Sequence, residues 1–192
     1  MSKAPGRLVI VSGPSGAGKT SVLKKVFETC TRPLVHSVSA TTRAPRPGEV
    51  PGRDYLFLSR EDFAAKRAAG EFLECCEVYG RGDWYGTLRS EVTPRIADGK
   101  LVVLEIDVQG TLMVLEQFPD ALTIFIQPES VAELERRLTA RGTEKPDVVA
   151  RRVDVGRQEM RQADRYQHLV VNREFDRAVR DVCDILERDT TA

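Results

Sequence analysis

Residues 13–20 read Gly13-Pro14-Ser15-Gly16-Ala17-Gly18-Lys19-Thr20, a G-x-x-x-x-G-K-T pattern. It follows an apolar run at residues 8–12 and precedes a stretch, 21–28, that can continue as helix. Strand, glycine-rich turn and helix N-terminus together suit the binding of phosphate. Glycines at 13, 16 and 18 allow positive φ, so that backbone N–H groups close around an anion with no Cβ in the way. The start of a helix adds unsatisfied N–H groups and the positive end of its dipole. In that setting Lys19 reaches β- and γ-phosphates, and the Thr20 hydroxyl ligates a magnesium ion. A glycine-rich turn with a chance lysine would lack the flanking strand and helix.

Other residues of chemical interest fall in three groups. Residues 39–49, with Pro45, Pro47 and nearby Pro51, cannot form a regular helix, and they present hydroxyls with Arg43 and Arg46. This segment is either a solvated basic turn or a phosphate clamp, since arginine offers planar bidentate donors. Glu105 and Asp107 close the apolar run 101–107. Acids at the C-terminal end of a buried parallel strand sit where open α/β sheets bind ligands. There they act on a metal through water, or on a substrate, in a Walker B-like role. Either acid alone is also explained as the cap of a following helix. Arg136, Arg137, Arg141, Arg151, Arg152 and Arg157 flank a Gly-containing turn between two helical patterns. They describe a solvated face, or a mobile lid over a triphosphate.

The elements that position these groups follow from periodicity. Val22, Leu23, Val26 and Phe27 pack a first helix, and residues 34–38 form a short strand. Residues 55–58 form another strand. Ser59 caps a helix that runs to about 69, and Gly70 ends it. A further strand spans 71–79 and carries Glu74 and Glu77. Ser90 caps a short helix with Pro94 in its first turn. Residues 122–126 are a strand, and Ser130-x-x-Glu133 is a capping box opening a helix with Val131, Leu134 and Leu138 on one face. Gly142 ends that helix. Pro146 starts the next, with a Val149, Val153 and Met160 stripe. Residues 168–172 are the last strand, and Phe175, Val179, Val182 and Leu186 mark the last helix. The alternation predicts a doubly wound parallel α/β fold. The core falls at about 1–38, 90–127 and 159–192, with an α+β insertion at about 39–89 and a helical lid at about 128–158.

Composition narrows the class. The 192 residues fit one domain, with 41% hydrophobic and 30% charged residues. Lys+Arg and Asp+Glu both number 29, so bulk charge gives no case for nucleic acid or membrane. No apolar run reaches the roughly 18 residues of a membrane helix, and no signal core precedes the loop. Cys30, Cys75, Cys76 and Cys183 lack C-x-x-C spacing, and His36 and His168 lie far apart, which argues against a zinc site. Reduced, mostly buried thiols in the cytoplasm are expected.

From about residue 6 to 186 the chain resembles guanylate kinase, which moves the γ-phosphoryl of ATP to GMP. The specific elements are the 12–20 loop, Ser37-Val38-Ser39-Ala40-Thr41-Thr42-Arg43-Ala44-Pro45-Arg46-Pro47-Gly48-Glu49, Gly52-Arg53-Asp54-Tyr55, and Leu104-Glu105-Ile106-Asp107-Val108-Gln109-Gly110. The resemblance implies a P-loop NTPase-type fold with Mg²⁺ and ATP. It implies that Arg43, Arg46, Tyr55 and Tyr85 hold the GMP phosphate, and that Ser39, Glu74, Thr87 and Asp107 surround the guanine, with Gly86 and Glu105 alongside. Lys19, Arg43, Arg137, Arg141 and Arg152 are the implied catalytic side chains. Gly13 to Thr20 and Asn172, near the adenine, are the implied ATP site. Chemistry agrees: a carboxylate such as Glu74 accepts from guanine N1–H and N2, and Ser39 donates to O6, a pairing that adenine cannot satisfy. The acceptor phosphate is largely ionised at neutral pH, so alignment and charge neutralisation suffice without a general base.

Three departures stand out. The loop at 80–87 looks about two residues longer than is usual, with Trp84 where a tyrosine is common. Glu105 replaces an aspartate, and Arg173-Glu174 replaces two acids. The competing readings are a non-catalytic guanylate-kinase-like binding module, and a related P-loop kinase with another phosphorylated acceptor. A GTPase is disfavoured by the lack of N-K-x-D. A monomer or homodimer acting on GMP and ATP, with dGMP as a further substrate, is the expectation.

Overall fold

In the computed structural model of the protein, residues 6–78, 82–140 and 146–188 are described, all but residue 78 with their side chains. Expectations at Tyr79, Gly80, Arg81, Arg141 and Gly142 lie outside the described residues.

The elements run in chain order β1 (Arg7–Ser12), α1 (Lys19–Thr29), β2 (Leu34–His36), β3 (Ala40–Thr41), β4 (Leu56–Phe57), α2 (Arg60–Ala68), β5 (Phe72–Val78), β6 (Asp83–Leu88) and α3 (Arg89–Ala97). They continue as β7 (Leu101–Glu105), α4 (Val108–Leu115), β8 (Leu122–Gln127), α5 (Val131–Ala140), α6 (Pro146–Met160), a 3-10 turn (Ala163–Arg165), β9 (His168–Val171) and α7 (Phe175–Arg188). One sheet has the order β2-β7-β1-β8-β9, and the other has the order β4-β3-β6-β5. Strands that are neighbours in the first sheet are mostly distant in sequence, which requires crossovers, and β8 and β9 pair in parallel. This is the expected α/β architecture with a parallel sheet. The apolar runs in β1, β7 and β8 are buried almost throughout, as a strand covered on both faces must be.

The chain divides into two compact units. The first comprises Met1–Val9, Val35–Leu104 and Gln109–Ala121, and it holds the four-stranded sheet. Here α2 begins at Ser59, whose hydroxyl accepts from the Asp62 N–H at 2.9 Å, as expected of an N-cap. Gly70 follows the helix with φ 70°. Phe63, Phe72, Leu88 and Ala40 form the core under this helix, with Trp84 packed against them. β6 runs directly into α3, so Leu88 rather than Ser90 is the capping position, and Pro94 lies in the helix interior rather than the first turn. The Arg89 N–H donates to the Glu71 carbonyl at 2.9 Å, which satisfies a first-turn donor without a side-chain cap.

β6 is most tightly packed at Gly86. A Cβ there would meet Cys75 Cβ, Glu74 O and Phe72 Cδ1, each at 2.8 Å. Gly86→Ala is therefore expected to cost about 2 kcal/mol and lower the melting temperature by about 5 °C. A thermal melt equal to that of the parent would show that the sheet yields at no cost.

The second unit comprises Ile10–Leu34, Glu105–Val108 and Leu122–Ala192. Leu134, Leu138 and Val153 form a core between α5 and α6, joined by Val131, Val149 and Met160, the residues of the two expected stripes. Ser130 Oγ accepts from the Glu133 N–H at 3.1 Å, but the Glu133 carboxylate is taken by Arg136 and Arg137, so half of the capping box forms. α7 buries Ala178, Val179, Val182 and Leu186, whereas Phe175, at the first position of the same stripe, is 43% exposed. Among the described residues no helix is long and apolar enough to cross a membrane.

Candidate active site

β1 delivers the chain into the glycine-rich turn and α1 carries it away, beginning at Lys19 with Gly18 as N-cap. Gly13, Gly16 and Gly18 have φ of 138°, 95° and 89°, so the turn takes the backbone path that only glycine adopts without strain. At Gly13 a Cβ would lie 1.9 Å from the Ile126 carbonyl oxygen, so strand β8 leaves no room for a side chain. Lys19 Nζ folds back to donate to the Gly13 and Pro14 carbonyls at 2.7 and 3.1 Å. Thr20 Oγ1 donates to Glu105 Oε1 at 2.7 Å.

Three side chains from later in the chain close on this loop. The Arg137 guanidinium donates to Glu133 Oε1 at 2.6 Å, the Ala17 carbonyl at 3.2 Å and the Asn172 carbonyl at 2.7 Å. Asn172 Nδ2 donates to the same Ala17 carbonyl at 2.8 Å. Arg152 donates to Ser15 Oγ. Two arginines that sequence alone leaves between solvated face and lid are thus bonded to the loop. Arg141 lies outside the described residues.

Glu133 is held down to a pKa of about 2 by hydrogen bonds from Arg136 and then Arg137. Glu159 is shifted the other way. Burial pushes its pKa up to about 7 against the attraction of Lys19, with Asp107 adding repulsion. No motif singles out Glu159 in the sequence, because an acid near a helix end is ordinarily a solvated charge.

The second cluster is built on the four-stranded sheet. Glu74 pairs with Thr87 and Cys76 with Tyr85 across β5 and β6, so Glu74, Thr87 and Tyr85 share one face. Thr87 Oγ1 donates to Glu74 Oε1 at 2.6 Å, and the two residues are 0% and 6% exposed. β3 pairs with β6 through Ala40 and Gly86 and through Thr41 and Tyr85, and the Ser39 carbonyl accepts from the Leu56 N–H at 2.9 Å.

Arg43 is enclosed. Its Nε donates to Tyr85 Oη at 3.0 Å, and NH1 and NH2 donate to Glu49 at 3.0 and 2.9 Å. NH1 also donates to the Ala44 carbonyl at 2.7 Å, and the guanidinium carbon lies 5.3 Å from the Tyr55 ring centre. Burial alone would lower the Arg43 pKa, but the bonds to Glu49 and Tyr85 outweigh it and hold the group charged. Arg43 in turn holds the Glu49 carboxylate below its ordinary value. Arg46 donates through its backbone N–H to Glu49 at 2.7 Å. Its exposed guanidinium has no ion pair or hydrogen bond among the described residues.

The expected site residues among those described divide between the two units. Ser39, Arg43, Arg46, Tyr55, Glu74, Tyr85, Gly86 and Thr87 belong to the first unit, and Gly13 to Thr20, Glu105, Asp107, Arg137, Arg152 and Asn172 to the second. The role of Glu49 as the partner of Arg43 is missed in the sequence. The spacing of opposite charges six apart in a proline-rich turn is its only signal.

The chain matches known proteins along nearly its whole length. The family model described as Guanylate kinase matches residues 5–189. The chain is 50% identical over 190 residues to a guanylate kinase of Rhodopirellula baltica, covering 97% of this chain and 91% of that protein. It is 48% identical over 169 residues to a guanylate kinase of Nocardia farcinica, covering 88% and 87%. Among solved structures, the crystal structure of guanylate kinase from Anaplasma phagocytophilum superposes with a TM-score of 0.81 at 30% identity, covering 99% of this chain and 89% of that one.

Proposed function

Since the chain belongs to the guanylate kinase family, we propose that it transfers the γ-phosphoryl group of ATP to GMP, and to dGMP, giving ADP and the corresponding diphosphate. The observation that carries the reading is the buried Glu74 carboxylate bonded to Thr87 on the same sheet as the Arg43–Tyr85 pair. A buried acceptor set beside a cationic cluster suits a base with adjacent N–H donors attached to a phosphate.

ATP binds with its β- and γ-phosphates over the amides of residues 13–20, and Lys19 exchanges its two carbonyl partners for phosphate oxygens. Thr20 and Glu105 offer hard oxygen atoms 2.7 Å apart at a helix N-terminus, a donor set that fits Mg²⁺ with water and phosphate as its remaining ligands. The ion would neutralise charge on the phosphates. Arg137 and Arg152 supply further positive charge beside the loop. Arg43 and Arg46 orient the GMP phosphate, whose ionised oxygen is itself the nucleophile.

ADP release from ATP and Mg²⁺, with GMP, dGMP, AMP, CMP, UMP or no acceptor, tests this directly. Turnover confined to GMP and dGMP is expected. Equal turnover with AMP would overturn the guanine-reading role, and binding of GMP without turnover would favour a binding module.

The two clamp arginines separate in a further test. Arg46→Ala is expected to raise the GMP KM about tenfold with an unchanged melting temperature, because its guanidinium is exposed and unbonded. Arg43→Ala is expected to raise KM and also to lose about 2 kcal/mol of stability, because Glu49 and Tyr85 lose their partner. Equal thermal stability of the two variants would contradict the enclosed role of Arg43.

A further inference from the structure

The four-stranded sheet has a second face. Side chains alternate along β6, so that Tyr85 and Thr87 share the Glu74 side while Trp84 and Leu88 turn to α2 and pack with Phe63 and Phe72. Between Trp84 and α2 lies a cavity of about 430 Å³, within the range that receives a small organic ligand.

The cavity is apolar below and cationic at its rim. The Phe63 and Trp84 rings lie 6.1 Å apart at its base, and Ala64 and Ala68, one turn apart on α2, are small enough to leave it open. Arg60 and Arg67 stand at i and i+7 on the same helical face. The Arg67 guanidinium carbon lies 4.4 Å from the Trp84 ring centre, a stacking that occupies one face of the group and leaves its N–H edge for an acceptor. Arg60 reaches across to β6, where a Cβ at Gly82 would stand 3.2 Å from its NH2. In the first turn of α2 it meets the positive end of the helix dipole, so it gains nothing from the helix itself.

Among the described residues neither guanidinium has a hydrogen bond or an ion pair, and no carboxylate lines the cavity. Glu77, the cross-strand partner of Trp84, accepts from the Gly82 N–H at 2.7 Å. Thr42 Oγ1 accepts from the Trp84 N–H at 2.9 Å, which leaves its own hydrogen to donate. The polar side-chain groups of the cavity thus offer donors and positive charge over an aromatic floor.

We propose that this cavity is a second ligand site, on the face of the sheet opposite Glu74 and Thr87, for a small aromatic compound that carries a phosphate group. The ring rests on Trp84 beside Ala64 and Ala68, and the phosphate lies between Arg60 and Arg67. Two cations match a phosphate monoester, which is largely a dianion at neutral pH. The apolar floor supplies affinity that exposed arginines alone would not.

Trp84 is the only tryptophan of the chain, so its emission reports on the cavity directly. The probe is phenyl phosphate, titrated into the nucleotide-free protein at neutral pH. A saturable change in emission is expected, half complete below about 1 mM. Inorganic phosphate, which lacks the ring, and phenol, which lacks the charge, should each bind at least about tenfold more weakly. Arg60→Ala removes charge, and Ala64→Leu fills the space with both arginines in place; each is expected to weaken the probe about tenfold. Arg46→Ala, in the clamp proposed for the GMP phosphate, should leave its affinity within about twofold.

No saturable change up to about 10 mM probe would overturn the proposal. Equal binding of inorganic phosphate would reveal a plain cationic patch, and equal binding of phenol a plain apolar hollow; either result overturns it. Parent affinity in both Arg60→Ala and Ala64→Leu does the same. A loss in Arg46→Ala as large as that in Arg60→Ala would put the probe at the acceptor phosphate site, which also overturns the second site. Because neither ATP nor GMP is present, these outcomes do not depend on whether the protein transfers phosphate to GMP.

Discussion

Lys19→Ala is expected to reduce turnover about a thousandfold while the protein stays folded. Lys19 Nζ spans the Gly13 and Pro14 carbonyls at 2.7 and 3.1 Å, so the ammonium sits over the loop. Phosphoryl transfer has little covalent chemistry for a protein to perform, and stabilising the charge that spreads over the transferred group is the main task. Removing one such preorganised donor costs a factor on the order of 10² to 10³, and loss of a full charge from a site lined by phosphates lies at the upper end. The structural loss is small by comparison, about 1 kcal/mol, because the released carbonyls lie at a partly exposed loop. ADP formation at saturating ATP, Mg²⁺ and GMP, with a thermal melt alongside, checks both halves. Activity within tenfold of the parent would remove Lys19 from the reaction.

Glu74→Ala is expected to lower kcat/KM for GMP by about 10² to 10³ and to change the ATP KM less than threefold. Glu74 is 6% exposed on β5 and accepts from Thr87 at 2.6 Å across the strand pair. A site built to accept hydrogen bonds loses discrimination steeply when the acceptor goes, since the base's own donors are then left dry. The Thr87 hydroxyl, also buried, loses its acceptor, so a stability cost of about 1–2 kcal/mol accompanies the change. Thr87→Val removes the same internal bond but keeps the carboxylate, so stability should fall by a similar amount while the loss of GMP use stays smaller than that of Glu74→Ala. Equal weakening of both nucleotides by Glu74→Ala would contradict a guanine-reading role.

The elements that sequence predicts well are those whose signal is local. Strands β1, β7 and β8 are continuous apolar runs, and α5 and α6 carry clean stripes that meet in one core. Helix α4 is anticipated only as a helix that Glu105 or Asp107 could cap, because Gly110 interrupts its pattern and Leu112 and Met113 are 41% and 40% exposed, which blurs any single apolar face. Strand β3 is only Ala40–Thr41, too short for a pattern, and exists through its pairing with β4 and β6. At Ser90 the sequence offers an ordinary cap, but the helix starts directly after the strand, at Arg89, and tertiary pairing with Glu71 supplies the missing acceptor.

The same division holds in the site. Motif spacing identifies Gly13 to Thr20, Arg43 and Arg46. It cannot reveal that Glu49 pairs with Arg43 and leaves the Arg46 guanidinium unbonded among the described residues, nor that Arg137 and Arg152 bond to the loop from more than a hundred positions away.

The enclosure of Arg43 bears on how the protein behaves among the anions of a cell. Four of its five N–H groups already have acceptors, two of them on the Glu49 carboxylate. A free inorganic phosphate or sulfate ion meets only the remaining N–H and the Arg46 guanidinium, and it must approach past the negative charge of Glu49. A ligand that is also gripped elsewhere, through a base at Glu74 and Thr87, has the binding energy to compete for those donors. At the proposed acceptor site this arrangement favours a nucleotide over small free anions.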